Sequence, residues 1–205
     1  MMLPIMAASG QEFSADVVDT RPKEGEIIRN KIYVARGKMR IEAQGPVGKN
    51  AASVVIVDAG RQITYLLVPD QKVYLESDTF GTVYTAGLRL LQPVDPHSPC
   101  AGFKQYVKQE SCKKLGSERV NGRNTRKWEI NSTRGGKGYL WVDLRLAFVI
   151  RMQDQEGLTE LQNIREGPQA PGLFELPAGY RRMDGARIAS RSEPLRQRDT
   201  EERRT

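Results

Sequence analysis

Residues 31–42 decide the fold class: Lys31-Ile32-Tyr33-Val34-Ala35-Arg36-Gly37-Lys38-Met39-Arg40-Ile41-Glu42. Apolar residues occupy alternate positions on either side of Arg36-Gly37. In the second half, Met39 and Ile41 fall on one parity and the charged residues fall on the other. Because side chains of a β-strand alternate between the faces of a sheet, this pattern predicts two antiparallel strands joined by a turn, with one apolar and one solvated face.

Similar short segments, separated by turn residues, recur along most of the chain. The run Ser53–Asp58 is apolar on both parities, which predicts a central strand covered on both sides. Ala59-Gly60 and Pro69-Asp70 are turn sequences that make this run the first strand of a three-stranded meander. Asn121-Gly122 is typical of a type I′ hairpin turn. The sequence therefore predicts a mainly β fold, an incomplete antiparallel β-barrel of about ten strands with one or two short helices.

The candidate helix is Phe80–Leu91, whose apolar residues approximate a helical stripe. Residues 1–10 hold a short apolar run that ends in small residues, and we interpret them as a remnant of a signal sequence or as an expression scar. Residues 185–205 are polar and charged, which predicts a disordered tail. Residues 11–184 are then the folded domain, and no stretch approaches the ~20 apolar residues of a membrane span.

The chain carries a formal net charge of +7, with 32 Lys and Arg against 25 Asp and Glu. A basic excess can indicate binding to nucleic acid or to an anionic membrane surface. The basic residues are scattered among acidic ones, however, and no run interleaves them with aromatics that could stack on bases. We therefore predict no nucleic-acid partner.

The two cysteines, Cys100 and Cys112, lie in polar, turn-rich segments. This setting favours a disulfide and a location outside the cytosol. Two cysteines and the single His97 are too few ligands for a zinc site, so no metal or other cofactor is predicted. His97 follows Asp95, but no nucleophile motif accompanies them, and we predict that the chain is not an enzyme.

An apolar sheet face must be covered by a second layer or by closure of the sheet, and the sequence supplies little helix for covering it. Bulky and flexible side chains on that face either fill a core or line a ligand cavity. The candidate cavity residues are Met39, Ile41, Tyr65, Trp128, Trp141, Phe148, Ile150 and Met152.

Several motifs occur in a familiar order: Phe13-Ser14-Ala15, the hairpin 31–42, the segment 65–74, Trp141-Val142-Asp143 and the segment 163–180. In this order they resemble the LolA-like envelope proteins, the outer-membrane lipoprotein carrier superfamily, and most closely an uncharacterised bacterial subgroup. The resemblance covers most of residues 13–184. It implies an incomplete barrel whose cavity takes acyl chains of lipoproteins in transit between two membranes.

The chain departs from the carriers in three ways. The helical lids of the carriers are represented only by Phe80–Leu91, and the Cys100/Cys112 loop is an addition. Arg40 is the candidate for the arginine that holds the carrier lid, but its parity points outward.

The resemblance implies a periplasmic or secreted protein of the bacterial envelope that holds an acyl chain or another hydrophobic ligand in a half-barrel. Its partners would be a lipid, an acylated protein or another hydrophobic molecule. The alternative is an envelope sensor or protein-interaction module on the same fold, with an envelope protein as its partner.

Overall fold

The computed structural model describes residues 12–21, 26–44, 53–77, 93–103, 109–132, 136–155 and 157–183. They form a single 12-stranded sheet in the order β12-β6-β5-β4-β3-β2-β1-β11-β10-β9-β8-β7. The strands are β1 (Phe13–Arg21), β2 (Glu26–Ala35), β3 (Lys38–Gln44), β4 (Ser53–Asp58), β5 (Ile63–Val68), β6 (Val73–Ser77), β7 (Gln109–Val120), β8 (Arg123–Ser132), β9 (Gly136–Asp143), β10 (Phe148–Gln153), β11 (Leu158–Glu166) and β12 (Arg181–Arg182). Neighbouring strands are antiparallel except β6 and β12, which are parallel.

Helix is scarce in the described residues. It consists of α1 (Pro99–Phe103) and the 3₁₀ helices Pro69–Gln71 and Pro171–Phe174. None of the described helices is long and apolar enough to cross a membrane. The predicted helix Phe80–Leu91 and the predicted terminal segments 1–10 and 185–205 lie outside the described residues.

The predicted fold class is confirmed: the chain is mainly β, and its antiparallel sheet does not close into a barrel. The described strands number 12, where the sequence predicted about ten. One addition is β12, where the chain after Tyr180 forms a short strand that pairs with β6. The division of the chain into residues 11–184 and two terminal segments stays a prediction.

The turn at Asn121-Gly122 has the predicted geometry. Both residues have positive φ, 50° and 77°, as a type I′ turn requires. Arg36-Gly37 adopts the same pair of conformations, with φ of 48° and 75°. Each turn thus fixes the register of the hairpin around it.

Strand β4 is covered on both faces, as its sequence predicts. Val55 belongs to a large apolar cluster on one face of the sheet. Ile56 belongs to a smaller cluster on the other face, where Leu176 and Tyr180 pack against it. The C-terminal segment therefore explains why this strand has no polar parity.

The two faces of the sheet differ in what covers them. We call the inner face the side that carries Phe13 and Phe148, whose rings meet edge to face with centroids 5.2 Å apart. The opposite side is the outer face, and it holds two separate clusters. One packs against the segment around Val94, and the other packs against the C-terminal segment.

The sheet curls toward its inner face. Asn121 lies in the turn between β7 and β8, and at least two strands separate it from β11 along the sheet. In a flat sheet the β7–β8 turn would lie roughly 14 Å from β11, because neighbouring strands are about 4.8 Å apart. Instead, Asn121 Nδ2 donates hydrogen bonds to Glu160 Oε1 at 2.8 Å and to the Leu161 carbonyl at 3.2 Å. The inner face is therefore concave.

Candidate functional site

The candidate site is the apolar floor of the inner face. It draws on both halves of the sheet, β1 to β6 and β7 to β11. The two halves lie side by side because β1 pairs with β2 on one side and with β11 on the other. Its buried members are Phe13, Ala15, Val17, Ile32, Val34, Ile41, Val55, Val57, Val120, Trp141, Leu146, Phe148, Ile150 and Leu161. Four half-buried residues lie against them: Met39, Leu66, Tyr139 and Ile164.

The structure brings together five of the eight predicted cavity residues. Met39, Ile41, Trp141, Phe148 and Ile150 all belong to the inner floor. The other three lie on the outer face, where Trp128 and Met152 join one cluster and Tyr65 joins the other.

Cross-strand register explains two of these outer positions. Trp128 pairs with Leu140, the neighbour of Trp141, so the two tryptophans point to opposite faces. Tyr65 pairs with Ile56, which also faces outward. Alternation within one strand does not show which residues of the neighbouring strand lie on the same face of the sheet. The sequence therefore could not distinguish the inner from the outer members of this set.

A bulge explains the position of Met152. Phe148, Ile150 and Met152 alternate in sequence and would share a face in a regular strand. The register with β9 shifts between Val149 and Arg151, which makes Ile150 an extra residue in β10. Beyond this bulge the parity is inverted, and Met152 lies with the outer cluster.

Several floor residues are not among the eight predicted cavity residues. Among them are Phe13, Ile32 and Leu161, which are 1%, 0% and 1% exposed. Phe13 and Ile32 lie in the segments Phe13–Val17 and 31–42, and alternation of apolar and polar residues indicates an apolar parity in both. The sequence pattern was therefore sufficient to place both residues on an apolar face. It did not show which residues of β1 and β2 lie opposite each other.

One flank of the floor, on β7, β8 and β9, is aromatic and charged. Lys127 Nζ lies 4.6 Å from the ring centroid of Trp141 and 5.3 Å from that of Tyr139. Glu118 accepts hydrogen bonds from Lys127 Nζ and from Trp141 Nε1, both at 2.8 Å. These two donors hold the pKa of Glu118 below its usual value. The flank therefore presents paired charges beside an apolar surface, which suits the polar end of an amphipathic molecule.

Glu160 is a further paired carboxylate near this flank. Burial opposes its ionisation, but Asn121 Nδ2 donates to it at 2.8 Å and Arg151 pairs with it. The net result is a pKa below the ordinary 4.5. The ionised form is thus the one that the folded chain stabilises.

We expect Glu160→Gln to lower the free energy of unfolding at pH 7 by about 1.5–3 kcal/mol, because hydrogen bonds to a charged acceptor are lost. Since the folded pKa of Glu160 is depressed, its contribution is present above the ordinary pKa and is lost as pH falls through the folded pKa. Urea unfolding from pH 7 to pH 3 should therefore show the gap between wild type and variant closing in acid. Glu175→Gln, at an exposed position, is the control; a gap that is constant with pH would contradict this role of Glu160.

The predicted disulfide between Cys100 and Cys112 is confirmed, with their Cα atoms 6.3 Å apart. It attaches the segment 93–103 to edge strand β7. Val94, in that segment, is buried against Trp128 on the outer face. The bond therefore supports the outer layer and not the apolar floor.

His97 lies in the same outer segment. Its Nδ1 is 3.0 Å from Arg126 Nη1, and Asp95 Oδ1 accepts the backbone N–H of His97 at 2.8 Å. The described contacts thus set the imidazole against a guanidinium, whereas in a Ser-His-Asp triad a carboxylate lies against the imidazole. In the described part of the chain, no group of three or more His, Cys, Asp or Glu side chains could hold a metal ion.

Arg40, the candidate for a lid-holding arginine, faces outward as its parity indicates. Its Nε donates to Glu42 at 2.8 Å, and its Nη1 donates to the Leu173 carbonyl at 3.1 Å. It therefore fastens the C-terminal segment to β3.

Comparison with known proteins gives matches in structure alone. No family model and no curated protein matches the chain. An uncharacterised conserved protein from Thermus thermophilus is similar, with a TM-score of 0.56 and 11% identity over 85% of this chain and 90% of that one. MucB has a TM-score of 0.50 and 15% identity over 84% of this chain and 59% of its own length. The chain thus spans about three fifths of MucB.

The structural matches also include a LolA superfamily protein from Nitrosomonas europaea, with a TM-score of 0.37 and 8% identity over 82% of this chain and 91% of that one. What this chain shares with the two better matches is the fold.

Proposed function

We propose that this chain is a non-enzymatic binding or carrier protein of the bacterial envelope, which holds an acyl chain or another hydrophobic group against its inner face. The observation that carries the proposal is the apolar floor. It joins both halves of a curled sheet and includes large side chains such as Phe13, Ile41 and Phe148.

The energetics favour a long apolar ligand. Each methylene group that leaves water for an apolar surface contributes about 0.8 kcal/mol. A ligand lying along the floor from Met39 to Trp141 would contact both halves of the sheet. Its polar end would meet the charged flank formed by Lys127 and Glu118.

The envelope location is supported by the disulfide between Cys100 and Cys112. Such bonds persist in oxidising compartments, including the bacterial periplasm, and are rare in the cytosol. The LolA-like resemblance of the sequence points the same way.

The two tryptophans of the chain provide an internal test, because Trp141 lies on the inner face and Trp128 on the outer face. We expect a nitroxide-labelled fatty acid to quench Trp141 strongly in the Trp128→Phe variant. It should leave Trp128 almost unaffected in the Trp141→Phe variant, since nitroxides quench tryptophan only at short range. The measurement is a fluorescence titration of the two single-tryptophan proteins.

Equal quenching of both tryptophans, or of neither, would count against ligand binding on the inner face. Absence of quenching together with a stoichiometric protein partner, captured under oxidising conditions, would favour the alternative of an envelope sensor or interaction module. Leu66→Trp and Tyr65→Trp are a second matched pair, because these neighbours on β5 lie on the inner and outer face respectively. Only Leu66→Trp should reduce uptake of the labelled fatty acid.

A further inference from the structure

Strands β10 and β11, neighbours in the second half of the sheet, are joined by a short ladder. Strand β11 pairs with β1 along most of its length, from Leu158 to Glu166. In the described residues, β10 pairs with β11 only through Arg151–Gln153 and Leu158–Glu160. Beyond Glu160, none of the described residues of β11 pairs with β10, and we call this unpaired stretch the split.

Inner-floor residues line both sides of this split. Phe148 and Ile150 lie on the β10 side, and Leu161 lies on the β11 side; all three are 1% exposed. A small recess at the split is lined by Ile150, Arg151, Glu160 and Leu161 among others. The split is therefore a point where the floor comes close to the surface between two strands.

The tip of the β7–β8 hairpin spans the split. Asn121 Nδ2 donates to Glu160 Oε1 and to the Leu161 carbonyl, at 2.8 and 3.2 Å. Arg123, at the start of β8, donates through Nη2 to Glu166 Oε1 at 2.7 Å and also pairs with Asp143. These hydrogen bonds and ion pairs replace the backbone ladder that is missing between β10 and β11.

Movement of the hairpin would uncover the floor. Val120 immediately precedes Asn121, is 1% exposed and belongs to the inner cluster. The floor residues are buried, so a ligand reaches them only if part of the molecule moves aside. A polar contact at the tip is suited to such movement, because water can satisfy its donors and acceptors when it opens.

We propose that the split between β10 and β11 is the way into the inner face, and that the hairpin tip, with Asn121 as its positioning residue, is the clasp that closes it. This inference rests on the proposed binding of a hydrophobic ligand. The clasp acts by holding Glu160 and Leu161 against the hairpin, and it makes no contact with the ligand itself.

Two substitutions test the clasp without breaking the turn. Asn121→Gly keeps a residue suited to the positive φ of 50° and removes the amide. Asn121→Asp also tolerates that φ, but places a second carboxylate against Glu160. The matched control is Gln62→Gly, an exposed turn residue with φ of 55° between β4 and β5. The midpoint of thermal unfolding checks that each protein folds.

The first measurement is amide hydrogen exchange, which needs no ligand. We expect exchange in the segments 148–150 and 161–166 to accelerate about tenfold in Asn121→Gly, equivalent to about 1.4 kcal/mol, and more in Asn121→Asp. Exchange in β2 and β3 should not change. Unchanged exchange at the split in Asn121→Asp, or an equal change in Gln62→Gly, would overturn the clasp.

The second measurement is the rate at which the nitroxide-labelled fatty acid quenches Trp141 in the Trp128→Phe background. We expect faster quenching in both Asn121 variants and no change in Gln62→Gly. Accelerated exchange with an unchanged quenching rate would overturn the split as the way in. A third outcome is that neither wild type nor variants take up the labelled fatty acid, while amide exchange at the split is still faster in the Asn121 variants. That result would contradict the proposed ligand binding and would support the clasp.

Discussion

Replacing Asp143 with alanine should lower the free energy of unfolding by about 3–5 kcal/mol, the range for breaking a buried ion pair from one side. Its side chain is 2% exposed and pairs with Arg123. Its Oδ1 also accepts the backbone N–H groups of Arg145 and Leu146, both at 2.8 Å. The substitution removes the acceptor of Arg123 Nε and of two backbone amides, in a turn next to the inner floor.

Asp58→Ala is the matched control for this prediction. Asp58 also ends a strand and accepts a turn amide, that of Arg61, at 3.0 Å. Its partner Lys38 is more exposed, at 39% against 20% for Arg123, so water replaces that ion pair more easily. We expect a loss of about 1 kcal/mol for Asp58→Ala in urea unfolding. Equal losses for the two variants would show that the buried ion pair of Asp143 contributes no more to stability than the ion pair of Asp58.

The features of the fold that the sequence could predict are local. Alternation places Met39 and Ile41 on one face because the period of a strand is two residues, whatever the strand pairs with. The conformation at Asn121-Gly122 follows from the residues that tolerate positive φ. A double-sided apolar run identifies β4 as a covered strand. Each of these inferences needs a few consecutive residues and nothing else.

The features that the sequence could not predict depend on pairing between distant residues. Trp128 and Trp141 look equivalent in sequence, and only the register of β8 with β9 separates them. The bulge at Ile150 inverts the parity of Met152, although neither residue type requires a bulge. The contact of Asn121 with Glu160 joins positions 39 residues apart. Polar residues in a turn and on a strand give no sequence pattern that marks such a contact.

Removing the disulfide, with Cys100→Ala and Cys112→Ala together, should lower the midpoint of thermal unfolding by roughly 6–12 °C. The bond joins residues separated by 12 positions. In the loop-entropy model, closing a loop of about this length contributes about 3 kcal/mol. For a domain of this size each kcal/mol corresponds to about 2–4 °C. Differential scanning calorimetry of wild type and double variant measures the shift.

In this double variant, the segment 93–103 should also detach from the outer face before the sheet unfolds. Arg126 Nε and Trp128 Nε1 are the two described side-chain atoms that are buried without a hydrogen-bond partner. Each such donor costs about 1–3 kcal/mol, a cost that hydration removes when the segment 93–103 lifts away. In the double variant, acrylamide should therefore quench Trp128 several times more efficiently, read in a Trp141→Phe background. Trp141, read in a Trp128→Phe background, should keep its protection, because its ring lies on the inner face. Protection of both tryptophans in the double variant would mean that packing alone holds the outer segment in place.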